Sequence, residues 1–208
     1  MTCWSCSAEV AEGEPACGAC RKLQPVGRRQ DAFSLLGLPR EFLLDLADLE
    51  RRFRERSRRL HPDRFARAEP RERRLSLEHA TRLNDAYRLL KDWRARAGYL
   101  LKLAGTDVFA EGRTFADPDF LEEQLEWREA LALARADGDA ARLAAIAEDA
   151  RRRLARLEDE VARRFADERW FSDLPVDIAR RLSRARYYDN IVADAERASA
   201  TSAQPQGT

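Results

Sequence analysis

Between positions 143 and 165 the residues Leu143, Ile146, Ala147, Ala150, Leu154, Leu157, Val161 and Phe165 recur at steps of three and four. That spacing puts them on one face of a single long helix, with Arg151 to Arg153 and Arg163 to Arg164 turned to water. A one-sided stripe cannot bury itself, so the chain must supply partner helices. It does so on both sides. One partner starts near Asp117 and Pro118, an N-cap and a first-turn proline, and ends at "ADGD". The other follows Pro175 and carries Ile178, Leu182, Ala185 and Ile191 or Val192. Nowhere do apolar and polar residues alternate as a strand requires.

The N-terminal half repeats the logic on a smaller scale. "DAFSLLGLP" forms a short helix closed by Gly37 and Pro39. Asp45 caps a second helix that runs to Leu60, with Leu46, Leu49, Phe53 and Leu60 on its apolar face and Pro62 ending it. A third begins near Pro70 and presents Leu75, His79, Leu83, Ala86, Tyr87 and Leu90, which predicts an antiparallel hairpin. His79 sits on that stripe and is read as a core histidine. The fold class is all-α: a helical hairpin and a three-helix bundle, preceded by a small cysteine module.

All four cysteines fall in the first 20 residues, as Cys3-x2-Cys6 and Cys17-x2-Cys20. Paired CxxC motifs suit a tetrahedral four-thiolate site, for which zinc is the default ion and a structural role follows from the closed shell. Two disulfides, a redox pair and a rubredoxin-like iron site are the alternatives. Residues 1–25 have no apolar core of their own, so ion binding would be folding energy. No segment reaches the roughly 20 apolar residues of a membrane span, and no secretory signal opens the chain, which points to the cytoplasm.

Charge is unevenly spread although the chain is nearly neutral at +1. Arg51 to Arg74 holds eleven arginines against Glu55, Asp63, Glu69 and Glu72, whereas Asp117 to Glu129 holds six acids against Arg128. Opposite patches imply two partners or one partner with two poles. Nucleic acid is excluded because no aromatics interleave with the arginines and the bundle is acidic. Catalysis is also disfavoured. His61 and Asp63 lie two residues apart in a loop without an identifiable nucleophile, and a four-thiolate ion has no open position.

"HPD" at His61-Pro62-Asp63 lies between a basic helix and a second antiparallel helix, with "AFSLLGLP" before it and "RLNDAYRLLKD" after it. In that context it resembles the signature loop of J-domains, the helical hairpins that dock on DnaK-type ATP-driven chaperones and trigger their ATP hydrolysis. The resemblance covers residues 31–105. "RARAGYLLKLAG" followed by "DPDFLEEQLEWREAL" is similar to the HscB family, the J-type co-chaperones of iron–sulfur cluster assembly, including versions with paired CxxC motifs.

The resemblance implies a metal module at 1–25 holding structural zinc on Cys3, Cys6, Cys17 and Cys20. It implies a J-domain at 31–105 and a client-binding bundle at 117–198; the tail at 199–208, outside the resemblance, has nothing to bury and is expected to be disordered. His61, Pro62 and Asp63, with Arg51, Arg52, Arg56 and Arg59, would contact the chaperone HscA and stimulate its ATPase. Leu121, Glu122, Leu125, Glu126, Glu129 and Tyr187 would hold the scaffold protein IscU. Phe120, Gln124, Trp127 and Leu131 form the neighbouring, core-facing stripe. Two departures stand out: Glu122 replaces a residue that is often apolar, and Trp93 stands where proline often follows aspartate. Without that proline the third helix is expected to continue through "RAGYLLKLAG" to Gly105. The second functional reading is a J-protein for a different client, selected by the zinc module.

Overall fold

The computed structural model describes residues 1–27, 29–108, 117–166 and 174–202. Among these, seven α-helices and two isolated β-bridges make up the regular structure, apart from two short 3₁₀ turns. The chain divides into two compact units, Met1–Arg96 and Ala97–Thr208. No helix among the described residues is long and apolar enough to cross a membrane.

The first unit contains α1 (Ala32–Leu36), α2 (Leu46–Leu60) and α3 (Pro70–Lys91). Asp31 caps α1 by accepting from the Ser34 N–H at 2.7 Å. Gly37 ends it in the left-handed region, at φ 68°. That φ is what favours glycine here; a Cβ would also lie 2.6 Å from a terminal nitrogen of Arg56, which would have to move aside. Asp45 caps α2 through the Ala47 and Asp48 amides. α2 and α3 run antiparallel: Phe53 stacks on Tyr87 with centroids 4.3 Å apart, and at the other end the Ser76 hydroxyl donates to the Leu60 carbonyl at 2.8 Å. Leu49, Leu60, Leu75, Leu83, Ala86 and Leu90 are buried as expected. Leu46, placed on the same face by its spacing, is instead 49 % exposed in the first turn of α2.

The third helix does not continue to Gly105. It stops at Lys91, Asp92 takes extended backbone angles, and α4 (Trp93–Leu103) begins afresh. The cause is Asp92 itself. Its carboxylate accepts from the Arg94 amide at 2.9 Å, a local bond that competes with helix continuation and starts a new helix without any proline. Close to this break Arg96 is buried, donating Nε to the Phe42 carbonyl at 2.7 Å and a second N–H to the Leu90 carbonyl.

The second unit is an up-down-up bundle of α5 (Leu121–Ala136), α6 (Ala140–Ala166) and α7 (Leu174–Ser202). The turn between α5 and α6 uses Gly138 at φ 63°, and Asp139 caps α6 through the Arg142 amide. Leu143, Ala147, Ala150, Leu157 and Val161 of α6 are buried, as are Ile178, Leu182, Ala185, Tyr188 and Ile191 of α7. Asp117 does not cap the bundle's first helix. A 3₁₀ turn, Pro118–Phe120, precedes α5, and the Asp117 carboxylate instead takes two bonds from Arg184 of α7 at 2.6 and 2.9 Å. That guanidinium holds the Asp117 carboxyl below its usual range despite partial burial. α7 runs through Ser202, so the first four residues of the expected disordered tail are helical. Residues 203–208 and the greater part of the expected linker at 106–115 lie outside the described residues.

His79 is buried on the inner face of α3, and its Nε2 lies 2.8 Å from the Gln24 carbonyl. A carbonyl only accepts, so Nε2 carries the proton. Burial pushes the ring's pKa below its ordinary 6.5, although the carbonyl bond opposes the shift. The unfolded chain therefore takes up this proton more readily than the folded one. The resulting stabilisation is complete above pH 6.5 and is lost as the pH falls toward the depressed folded value. Thermal melting of the native protein and of His79→Leu at pH 7.5 and pH 5 should show a larger acid-induced loss in the native protein. Equal losses would place the titration elsewhere.

Candidate functional site

The cysteine module is built from one motif used twice. Cys3 N–H donates to the Ala8 carbonyl and Ser7 N–H to the Cys3 carbonyl; Cys17 N–H donates to the Lys22 carbonyl and Arg21 N–H to the Cys17 carbonyl. Ser7 and Arg21, each directly after the second cysteine of its pair, both stand at φ 62°. The bridges Thr2–Glu9 and Ala16–Leu23 repeat the same offset of 14 positions. Each knuckle thus turns its backbone amides inward, and the two face each other across the sulfurs.

The four sulfur atoms lie within 4.8 Å of one another, with Cys3 to Cys20 and Cys6 to Cys17 both at 3.7 Å. An ion at about 2.3 Å from four tetrahedral thiolates places them about 3.8 Å apart, so this cage fits a four-thiolate metal site. All four cysteines are free, at separations well beyond the roughly 2.05 Å of a disulfide bond. Ionising all four thiols together would take a cation among them. Burial pushes the Cys3 thiol up, but the Cys6 and Ser5 amides overcome it and bring the pKa down to about 6. For Cys6 the Ala8 amide acts downward, and the neighbouring sulfurs together with burial outweigh it, raising the pKa to about 12. Four sulfurs this close cannot all ionise unless a positive ion lies among them.

At the hinge between α2 and α3, His61 leaves the helix with extended backbone angles and Pro62 opens a 3₁₀ turn, Pro62–Phe65. The His61 Nδ1 accepts from the Asp63 amide at 3.3 Å and lies 3.5 Å from the Asp63 carboxylate. That contact leaves the carboxylate open to a visitor, since the Asp63 side chain is 90 % exposed. The four arginines expected to act with it divide into different roles. Arg51 pairs with Asp48 and Glu55. Arg52 bonds Asp48 and the Gly37 carbonyl, and Arg56 donates to the Leu35 carbonyl at 2.8 Å. These two guanidiniums close the C-terminal end of α1, where free carbonyls favour cations. Burial, followed by the nearby charges of Arg52 and Arg59, lowers the Arg56 pKa. Arg59 is exposed at the end of α2 beside the loop.

On α5 and the turn before it the two stripes differ in burial, with Gln124 of the inner stripe only half-buried. Phe120, Trp127 and Leu131 are buried, whereas Leu121 and Leu125 are 60 % and 59 % exposed. Glu122, Glu126 and Glu129 are exposed around the two leucines. Tyr187 is half-buried at the edge of this face. Its hydroxyl donates to the Gln124 carbonyl at 2.8 Å, and its ring meets Phe120 edge-on at 5.3 Å.

Two residues absent from the sequence-based set organise these sites. Glu123 accepts from Tyr188 at 2.6 Å and Trp127 at 3.2 Å and pairs with Arg153, joining all three bundle helices beneath the exposed face. Only its spacing of four from Trp127 hints at this. Gln24 is wholly buried, with Nε2 donating to Cys3 Sγ at 3.2 Å. Its place 14 positions after Val10 in the repeated knuckle is the available signal.

Known proteins share this build. Residues 116–196 match the family model described as HSCB C-terminal oligomerisation domain. The chain is similar to the co-chaperone protein HscB homolog of Bordetella pertussis, 47 % identical over 132 residues covering 63 % of this chain and 78 % of that protein. A homologous co-chaperone of Ralstonia nicotianae is 51 % identical over 107 residues, covering 51 % of this chain and 61 % of that one. The crystal structure of human co-chaperone protein HscB superposes with a TM-score of 0.84 at 30 % identity, over 94 % of this chain and 97 % of that chain. Chaperone HscB from Vibrio cholerae gives 0.70 at 32 % identity, over 83 % and 99 %. The chain belongs to the HscB family of co-chaperones.

Metal analysis of the purified protein should return one tightly held ion per chain, and Cys17→Ser should abolish it. A cobalt-loaded sample should show thiolate-to-metal charge-transfer bands; their absence would leave the cage without an ion.

Proposed function

We propose that this chain is a J-type co-chaperone that carries an iron–sulfur scaffold protein of the IscU kind to a DnaK-type chaperone of the HscA kind. Residues 31–105 act as the J-domain and residues 117–198 as the client-binding bundle. ATP hydrolysis takes place on the chaperone, and this chain contributes only tighter binding to one of its conformations. Asp63 offers an exposed carboxylate to a cation of the chaperone, while Arg59 steers toward an acidic groove and Arg51 is held by Asp48 and Glu55. Arg52 and Arg56 support that face by holding α1 in place. The observation that carries the reading is the exposure of the Asp63 carboxylate at the apex of a proline-stiffened turn.

The scaffold docks on α5. Exposed Leu121 and Leu125, rimmed by Glu122, Glu126 and Glu129, have the apolar centre and polar edge of a protein interface. Tyr187 braces this surface from α7. Zinc occupies the cysteine cage as a structural ion, consistent with four thiolates and no open coordination position. The protein works in the cytoplasm.

Asp63→Asn should remove stimulation of the chaperone's ATPase while leaving the melting temperature and scaffold affinity unchanged. Stimulation by this variant at the native level would refute the docking role. Leu121→Ala with Leu125→Ala should leave stability within about 0.5 kcal/mol, because the side chains are exposed. The same pair should weaken scaffold binding by about tenfold or more, as expected for the loss of a central apolar contact. Calorimetric titration with the scaffold protein decides it, unchanged affinity moving the interface elsewhere.

A further inference from the structure

We infer that the cysteine module is a metal-dependent clasp on the start of α3, and that Gln24 joins the metal site to that helix.

Residues 22–24, which leave the second knuckle, are held from two sides. On the metal side, the Gln24 amide donates to Cys3 Sγ at 3.2 Å and to the Lys22 carbonyl at 2.9 Å, and its oxygen lies 3.3 Å from the Trp4 amide. The Trp4 indole N–H donates to the Leu23 carbonyl at 2.6 Å. On the helix side, the Gln24 carbonyl takes the His79 N–H at 2.8 Å, the Leu23 amide donates to Glu72 at 3.2 Å, and Lys22 pairs with Glu69. The Arg71 guanidinium lies over the Trp4 ring at 4.5 Å. Glu69 is the N-cap of α3, and Arg71, Glu72 and His79 lie in its N-terminal half; the helix begins five residues after the turn carrying Asp63 ends.

The module cannot keep this clasp closed without an ion. The apolar cluster around its sulfurs is Cys3, Val10 and Cys17, with Ala8 and Cys20 packed beside it, and Leu23 and Val26 are buried outside that cluster. So small a core does not offset the entropy of ordering 25 residues. When the ion leaves, the knuckles lose their shape and the 22–24 segment loses the conformation that meets α3. Metal binding at the sulfurs and order at the start of α3 are therefore thermodynamically linked. The Gln24 N–H···S bond also stabilises the thiolate and orients Cys3, as outer partners of metal ligands do. The inference rests on ion binding and not on the proposed chaperone docking, so each stands or falls separately.

Hydrogen–deuterium exchange of the full chain, zinc-loaded and then stripped with a chelator, tests the clasp. Amides of residues 70–80 should exchange at least about tenfold faster after stripping, whereas those of α6 should not change. Equal protection of residues 70–80 in both states would overturn it. The surface pair Glu69→Ala with Glu72→Ala should bind zinc normally yet show a smaller effect of zinc on α3, and an undiminished effect would also overturn it. For Gln24, cobalt reports the bond directly. Gln24→Leu should move the sulfur-to-cobalt charge-transfer band to lower energy and weaken metal binding by about 10- to 100-fold against a competing chelator. Gln24→Asn, one methylene short of the sulfur, should shift both in the same direction. Native band position and affinity in the two variants would remove Gln24 from this role.

Discussion

The inner face of α3 is the surface on which the N-terminal unit is assembled. α1 and α2 pack on it through Leu75, Leu83, Ala86 and Leu90, and the Ser76 hydroxyl ties down the last carbonyl of α2. At His79 the same stripe changes character and presents a hydrogen-bond donor to the cysteine module. One helix therefore anchors an apolar core and a polar seam together. The turn bearing Asp63 lies just before the start of that helix.

Arginine does much of the finishing work in both units. Arg52 and Arg56 close α1, Arg96 satisfies the Phe42 and Leu90 carbonyls, and Arg184 holds Asp117 at the entrance to α5. A planar guanidinium with five donors can bond a carbonyl edge-on while its stem covers apolar surface, which lysine does less well. A basic run such as Arg51 to Arg59 thus overstates the charge available to a partner. Part of it is committed to backbone carbonyls and to Asp48, and the part left free lies toward Arg59 and the loop.

The bundle separates its two jobs by helix face. Phe120, Trp127 and Leu131 pack inward with Tyr188, and Glu123 gathers donors from α6 and α7 beneath them. This network fixes the rotation of α5 about its own axis. That rotation leaves Leu121 and Leu125 facing solvent, displaced by one residue, or about 100°, from the buried stripe.

Spacing alone determined the all-α class, the antiparallel hairpin, the bundle and the four-sulfur site, because helical periodicity and CxxC geometry are local properties written in consecutive residues. The cap at Asp45 and the inward place of His79 were legible for the same reason. The fate of polar groups was not. Asp117 and Asp92 have equal claim to begin a helix, yet Asp117 lies within reach of Arg184, 67 positions away, whereas Asp92 meets the amide and guanidinium of Arg94, two positions on. Gln24 looks like any loop glutamine until folding places it between a sulfur and a histidine-bearing helix. Such choices depend on which donors arrive from distant parts of the chain, and only the tertiary structure brings them together.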